Sequence, residues 1–384
     1  MRFFSITMIT MLLMFKLVFS ESLDELINIA KKNNPDIKRF EKEIEVLKQK
    51  SKTAGRLPNP SISFNIRDKG SFTIFQYIPW YEKLKLQREM EEKRYEVQLI
   101  VYQQEKSKIL IQIKELGLRT WLNRERIKLN TQLISIIDGV LQGDISAGDK
   151  NKLTILKIDL LLENKDLELS TLKLLSELKV LLNSDFGDVE VERVDIPDLK
   201  EEELKERIKT IGLAIKQIDK QIERDRLSYK LAKEIYIPDF GVSITYKVRE
   251  KFDDAISVGV NLYVNVPIWR RLNQEQIVLE QKLQLISSQE KKINVINQTL
   301  WSADKFIQEY KISREKLDIL KKNYHLYRYD MELTTNRYLK KESDINSIIY
   351  SISRFKEAHS RLLQETLSVN ISYFRIQELL GEVE

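Results

Sequence analysis

Two kinds of hydrophobic pattern take turns along this chain. Within residues 236–269, Phe240, Val242, Ile244, Tyr246 and Val248 alternate with Gly241, Ser243, Thr245 and Lys247. After a charged gap, Ile256, Val258, Val260, Leu262, Val264 and Val266 alternate with Ser257, Gly259, Asn261, Tyr263 and Asn265. A period of two gives a strand one apolar and one polar face, so this stretch predicts a β-hairpin. A second hairpin is predicted over residues 57–80. Ile62, Phe64 and Ile66 alternate with Ser61, Ser63 and Asn65, and Asp68-Lys69-Gly70 supplies turn chemistry. Its return strand, 72–78, alternates less cleanly, because Phe75 and Tyr77 fall where polar residues are expected.

The remaining pattern is helical. Ser22 followed by Glu25 forms a capping-box sequence, and Asn33-Asn34-Pro35 breaks and restarts the first helix, which Gly55 ends. Residues 84–142 hold no proline and predict a helix of roughly 90 Å at ~1.5 Å per residue. GDISAGDKN at 143–151 reads as a reversal, followed by a helix over 152–183. Residues 184–200 read as a linker in which Val189, Val191 and Val194 suit a short edge strand. Helix resumes over 201–235. From Ile268 to Leu380 there is neither Gly nor Pro. Leu279, Leu283, Ile286, Ile293, Ile296, Leu300, Ile307, Tyr310, Leu317, Leu320, Tyr324, Tyr327 and Met331 recur at a coiled-coil period there. Lys340-Lys-Glu-Ser-Asp344 predicts a reversal into a last helix over 345–380.

The order of helix, hairpin, long helix, reversal and helix therefore runs twice. Pro58 precedes Pro238 by 180 residues and Trp80 precedes Trp269 by 189, which indicates an internal duplication too long in period for a solenoid. The expected organisation is a first repeat over 21–183, the linker 184–200, and a second repeat over 201–384.

Each hairpin meets its helices through prolines and aromatics, and its far end is charged. Pro58, Pro79, Pro238 and Pro267 mark the strand–helix transitions; Tyr77, Trp80, Tyr81, Tyr236 and Trp269 gather beside them. In a membrane barrel this is an aromatic girdle at one interface with polar loops in water. A soluble sheet covered by its own helices would alternate in the same way. The membrane reading carries a further demand, since four strands cannot close a pore and open edges are costly in lipid. Three chains would supply twelve strands.

Composition narrows the function. The chain of 384 residues has no cysteine and only two histidines, His325 and His359, which removes disulfides, thiolate metal sites and a cysteine nucleophile. His325 has no partner at metal-ligand or acid–base spacing and reads as a surface or interhelical packing residue. No metal, no cofactor and no enzyme activity are expected. Residues 1–20 have the charged start, apolar core and small-residue end of a secretory signal. Without them the formal charge of +6 falls to +4, and nothing resembles a phosphate loop or a nucleic-acid module.

These pieces in this order resemble the TolC-like family of outer-membrane efflux proteins. The resemblance rests on SLDELINIAKKNNPDIK at the start, Leu-Pro-x-Pro and Ile-Pro-Asp-Phe before strands, and Pro-Trp and Pro-Ile-Trp before long helices. It implies a mainly α fold with β: a long coiled-coil helical barrel plus a transmembrane β-barrel shared by a homotrimer, four strands per protomer. Residues 184–200 would form a belt around the helices. The implied setting is the outer membrane of a diderm bacterium and the periplasm. The implied partners are a periplasmic adaptor (membrane fusion) protein, an inner-membrane pump of RND or ABC type, and outer-membrane lipid. In the family the reversal before the last helix carries Tyr-x-x-Gly and then an acidic pair that narrows the tunnel mouth. Here Tyr338 aligns, Lys341 replaces the glycine, and Ser347 and Tyr350 fall at the acidic positions. The acidic ring is not carried over. Asp344, Asp149 and Ser347 are the candidate mouth residues, and like charges at a constriction favour cations.

The expected function is the exit duct of a tripartite efflux or type I secretion system, passing small toxic compounds or proteins. A secreted or periplasmic coiled-coil adaptor or interaction protein remains the alternative.

Overall fold

The computed structural model describes residues 20–66, 70–143, 145–186, 188–190, 199–247, 257–265 and 274–382. Most of the expected signal, both hairpin tips, Val191, Val194, Pro267 and Trp269 lie outside these residues. The chain forms two compact units, each drawn from both halves of the sequence. One holds Arg39–Gln103 and Lys209–Thr299; the other holds the segments up to Lys38, Gln104–Ile208, and from Leu300 onward.

In sequence order the elements are β1 (Ser20–Ser22), α1 (Leu23–Asn33), α2 (Pro35–Thr53), β2 (Ser61–Asn65), β3 (Ser71–Ile78), α3 (Tyr81–Leu141) and α4 (Ala147–Leu182). There follow β4 (Asp188–Glu190), α5 (Glu201–Ile211), α6 (Leu213–Lys233), a 3-10 turn (Glu234–Tyr236), β5 (Asp239–Lys247), β6 (Ser257–Asn265), α7 (Glu275–Leu339) and α8 (Ile345–Leu380). The strands and long helices fall close to the expected bounds. The expected single helix over 201–235 is corrected to two, because Gly212 breaks it with an extended ψ of 130°. Glycine inside a helix costs about 1 kcal/mol relative to alanine, and here that weakness is where the backbone turns out.

In the first unit, β2, β3, β5 and β6 form one antiparallel sheet in that order. The two hairpins are thus joined edge to edge through β3 and β5, with Ile74 opposite Ile244 and Tyr77 opposite Gly241. Gly55 follows the end of α2 at φ +69°, and a Cβ there would lie 2.2 Å from the Leu84 carbonyl oxygen. Only glycine satisfies both demands.

The second unit is helical. Leu129, Leu133, Ile137 and Val140 of α3 pack with Leu153 and Leu160 of α4, Met331 of α7, and Ile345, Ile348, Ile352 and Phe355 of α8. Spacings of three and four keep these side chains on one face of each helix. A second cluster joins Ile111, Leu118 and Leu122 to Leu363, Leu367 and Phe374. Ser20–Ser22 pairs in parallel with Asp188–Glu190, so Ser20, expected at the end of the signal, opens a short strand. Val189 lies in the short strand expected of it and is buried there, and the Arg124 guanidinium donates to its carbonyl oxygen at 2.5 Å.

Candidate functional site

The joined sheet sorts its side chains by face, with Gln76 the polar exception on the apolar side and Phe75, Tyr77 and Tyr263 the aromatic exceptions on the polar side. In register, Ile62, Ile74, Ile244 and Val260 form one cross-strand row, and Phe64, Phe72, Tyr246 and Val258 another. Leu262 and Val264 extend the same face along β6. The face is exposed: Phe64 is 73% accessible, Val260 69% and Leu262 70%. Soluble proteins rarely leave so large a contiguous apolar patch uncovered. The opposite face holds Ser63, Thr73, Thr245 and Gly259 in one row and Asn65, Ser71 and Lys247 in the next. Thr73 and Thr245 share a hydroxyl–hydroxyl bond of 3.1 Å, and Asn261 donates to Ser243 at 3.2 Å. An apolar face without cover and a hydrogen-bonded polar face are what a barrel wall between lipid and water requires.

At the helix end of the sheet, Asp239 ties the two hairpins together. Its carboxylate accepts from the Tyr77 hydroxyl at 2.6 Å, the Trp80 backbone N–H at 3.0 Å and Lys83 Nζ at 2.9 Å. Lys83 also donates to the Ile237 carbonyl at 2.7 Å. The lysine and the carboxylate are 11% and 13% exposed, so this pair is screened little. Ile-Pro-Asp-Phe was visible in the sequence as the approach to β5; that its aspartate would bind three groups of the other half was not.

The expected girdle residues separate. Trp80 and Tyr81 are exposed, and the Trp80 ring lies 6.3 Å from that of Phe240 on the apolar face. Tyr77 stands on the polar face, bound to Asp239. Tyr236 closes the 3-10 turn. Pro58 offers its carbonyl to Gln76 at 2.9 Å, Pro79 follows the last residue of β3, and Pro238 precedes the first of β5.

The candidate mouth residues belong to the helical unit, where the two reversals lie side by side. Asp344 caps α8, accepting from the Ser347 N–H at 2.8 Å and the Ser347 hydroxyl at 2.6 Å. Those bonds hold its carboxyl below the usual carboxylate range, assisted by the charge of Lys152. Asp149, in the first turn of α4, accepts from the Tyr338 hydroxyl at 3.1 Å. Burial and that bond push the Tyr338 phenol up. Lys152 donates to Asn346 at 3.0 Å. Asp149, Asp344 and Ser347 are therefore brought to one region, and each is engaged in a hydrogen bond. His325 is exposed, whereas His359 meets the Tyr324 hydroxyl at 2.9 Å within a cluster of rings.

This is the fold of the TolC-like outer-membrane channels. A membrane protein from Pseudomonas aeruginosa superposes with a TM-score of 0.80 at 12% identity, over 94% of this chain and 91% of that one. The CmeC outer membrane channel of Campylobacter jejuni gives a TM-score of 0.79 at 12% identity, over 94% and 85%. The MtrE outer membrane channel of Neisseria gonorrhoeae, in its open state, gives 0.77 at 11%, over 94% and 89%. No protein-family model matches the sequence, and no curated protein matches it by sequence. At such identities the likeness resides in the fold. Among the described residues, no helix is long and apolar enough to cross a membrane.

Proposed function

We propose that this chain is one protomer of an outer-membrane exit duct, a homotrimer whose twelve shared strands form a barrel in the outer membrane. The observation that carries this reading is the exposed apolar face of the four-stranded sheet, backed by a polar face. Lipid is the cover that such a face fits, and both edge strands, β2 and β6, then pair with neighbouring copies. Apolar side chains exposed at heptad spacing on α4 (Ile155, Ile158, Leu162, Leu169, Leu172) and on α7 (Ile312, Ile319, Leu326, Tyr329) support helix contacts between copies. In this reading the chain is a duplication with residues 184–200 as a belt, preceded by a signal over 1–20. The helices cross the periplasm and receive small toxic compounds or proteins from an inner-membrane pump through an adaptor.

Detergent should be needed to extract the protein from membranes, and it should run as a heat-sensitive trimer; recovery as a soluble periplasmic monomer would sink the proposal. Loss of the gene should raise susceptibility to a panel of toxic compounds. We further assign Asp344 and Asp149, flanked by Ser347, to the tunnel mouth as a cation-favouring charge ring. Asp344→Asn keeps a good helix cap while removing the charge, so planar-bilayer cation selectivity should fall without loss of folding. Unchanged selectivity in the Asp344→Asn, Asp149→Asn double variant would dispose of the ring.

A further inference from the structure

The polar face of the sheet has a local exception to its chemistry. Apart from three aromatic residues, its described positions are Ser, Thr, Asn, Gly, Asp and Lys. One exception, Tyr77, is tied down through its hydroxyl to Asp239. The other two touch: Phe75 on β3 and Tyr263 on β6 meet edge to face, ring centroids 5.4 Å apart and planes at 88°. They reach each other across β5 because residue 241 is glycine. A Cβ there would lie 2.6 Å from Phe75 Cε2 and 2.8 Å from Cζ, so the missing side chain lets the ring rest on the strand. Tyr263 stays 50% exposed. Rings at right angles form a corner whose two π-faces point in different directions.

We propose that the Phe75–Tyr263 corner is a contact site for flat aromatic solutes moving along this face. The inference rests on the reading that the polar face lines the channel lumen. Its physical basis is contrast. A wall of hydroxyls and amides exchanges hydrogen bonds with a solute no better than water does. An aromatic corner offers stacking, and for a cationic ring system a cation–π contact as well. With one corner per copy, a passing planar compound is slowed at one height of the barrel while an aliphatic ion of the same charge is not.

The test uses the full chain in planar bilayers, with ethidium as the flat aromatic cation and tetrapropylammonium as the aliphatic one. Phe75→Leu still covers Gly241, and Tyr263→Leu alters a half-exposed side chain, so each removes a ring face with little effect on packing. Each variant should shorten ethidium-induced current interruptions about fivefold and leave those of tetrapropylammonium unchanged. Equal shortening for both ions, or unchanged ethidium events in both variants, would overturn the proposal and leave Phe75 as a cover for Gly241 alone. Should Phe75→Leu fail to insert, Tyr263→Leu decides by itself. Absence of any ion current from the wild-type protein would overturn the lumen reading, and this one with it.

Discussion

At Asn34 a single amide side chain meets the ends of three helices. Its backbone N–H closes α1 onto the Ala30 carbonyl at 2.9 Å. Its Oδ1 accepts from the Ile37 N–H at 2.9 Å to cap α2, and its Nδ2 donates to the Leu181 carbonyl at 2.6 Å, in the last turn of α4. The residue is 2% exposed, so no water replaces these bonds. Asn34→Ala should cost about 2 kcal/mol, the sum of a lost cap and a part-buried carbonyl left unpaired. Urea unfolding followed by tryptophan fluorescence measures it; a loss below about 0.5 kcal/mol, the low end for a cap alone, would mean the helix ends relax onto other partners. Lys341 presents the opposite case. It sits at φ +63°, the left-handed region where a side chain is disfavoured. Its N–H reaches the Tyr338 carbonyl and the Glu342 N–H reaches that of Arg337, both at 2.8 Å, the bond pair of a Schellman helix end. The resemblance sets lysine where the family has glycine, and the backbone here takes a conformation that glycine favours. Lys341→Gly is expected to stabilise the chain by roughly 0.5–1 kcal/mol, seen as a higher urea midpoint at unchanged slope.

Where α3 runs beside α6, four charged side chains close a ring: Lys93 bonds Glu96 and Glu223, and Lys220 bonds the same two, at 3.0–3.2 Å. Burial pushes both carboxyls up, but the two lysines outweigh it and hold them below the ordinary range. For a depressed carboxylate the contribution is complete above the unfolded value, near 4.5, and is lost as pH falls through the folded one. The ring is about a third exposed, so each pair contributes only ~0.5 kcal/mol. Glu96→Gln should lower stability by about 1 kcal/mol at pH 7 and have little effect at pH 3; an equal loss at both would mean packing rather than charge. The elements themselves were unevenly legible. Strands β2, β5 and β6 announced their faces, since a period of two leaves one consistent side. Phe75 and Tyr77 obscured β3 because aromatic character does not say which face a residue takes, and the register put both on the polar side. The break at Asn34 was readable from Pro35. That at Gly212 was not, since a lone glycine is tolerated within a helix and carries no side-chain cap. Strands of three residues such as β1 and β4 are too short to show any period. On α7 the heptad residues Ile307, Tyr310, Leu317 and Met331 are buried as expected, while Leu279, Leu283, Ile286 and Ile293 remain exposed. A heptad says that a seam exists, not whether the same chain fills it. The ties at Asp239 and between Asp149 and Tyr338 join residues more than 150 positions apart, and no local pattern encodes such pairs.

Taken as a whole, the molecule leaves uncovered what a soluble domain would bury. Nine side chains of the apolar sheet face, Ile62, Phe64, Ile74, Ile244, Tyr246, Val258, Val260, Leu262 and Val264, are exposed. At roughly 1.5 kcal/mol or more per such side chain, the hydrophobic term at stake approaches the ~5–15 kcal/mol by which an ordinary domain is stable at all. The described helices of the same unit do not cover the face. In the proposed duct, lipid removes that surface from water, and closure of the strand edges by further copies removes the remaining backbone cost. Whether the sheet faces lipid or is packed against protein is decided by a pair of adjacent substitutions. Val260 lies mid-strand on the apolar face, and Asn261, next in sequence, lies on the polar face. Lysine facing lipid near the bilayer midplane costs about 2–4 kcal/mol, whereas lysine facing an aqueous lumen costs little. Val260→Lys should therefore deplete the heat-sensitive trimer from the membrane fraction, while Asn261→Lys should leave the trimer intact and shift ion selectivity toward anions. If both lysines deplete the trimer equally, the polar face is packed against protein and the sheet is not a pore wall. If neither does, the apolar face is not in lipid.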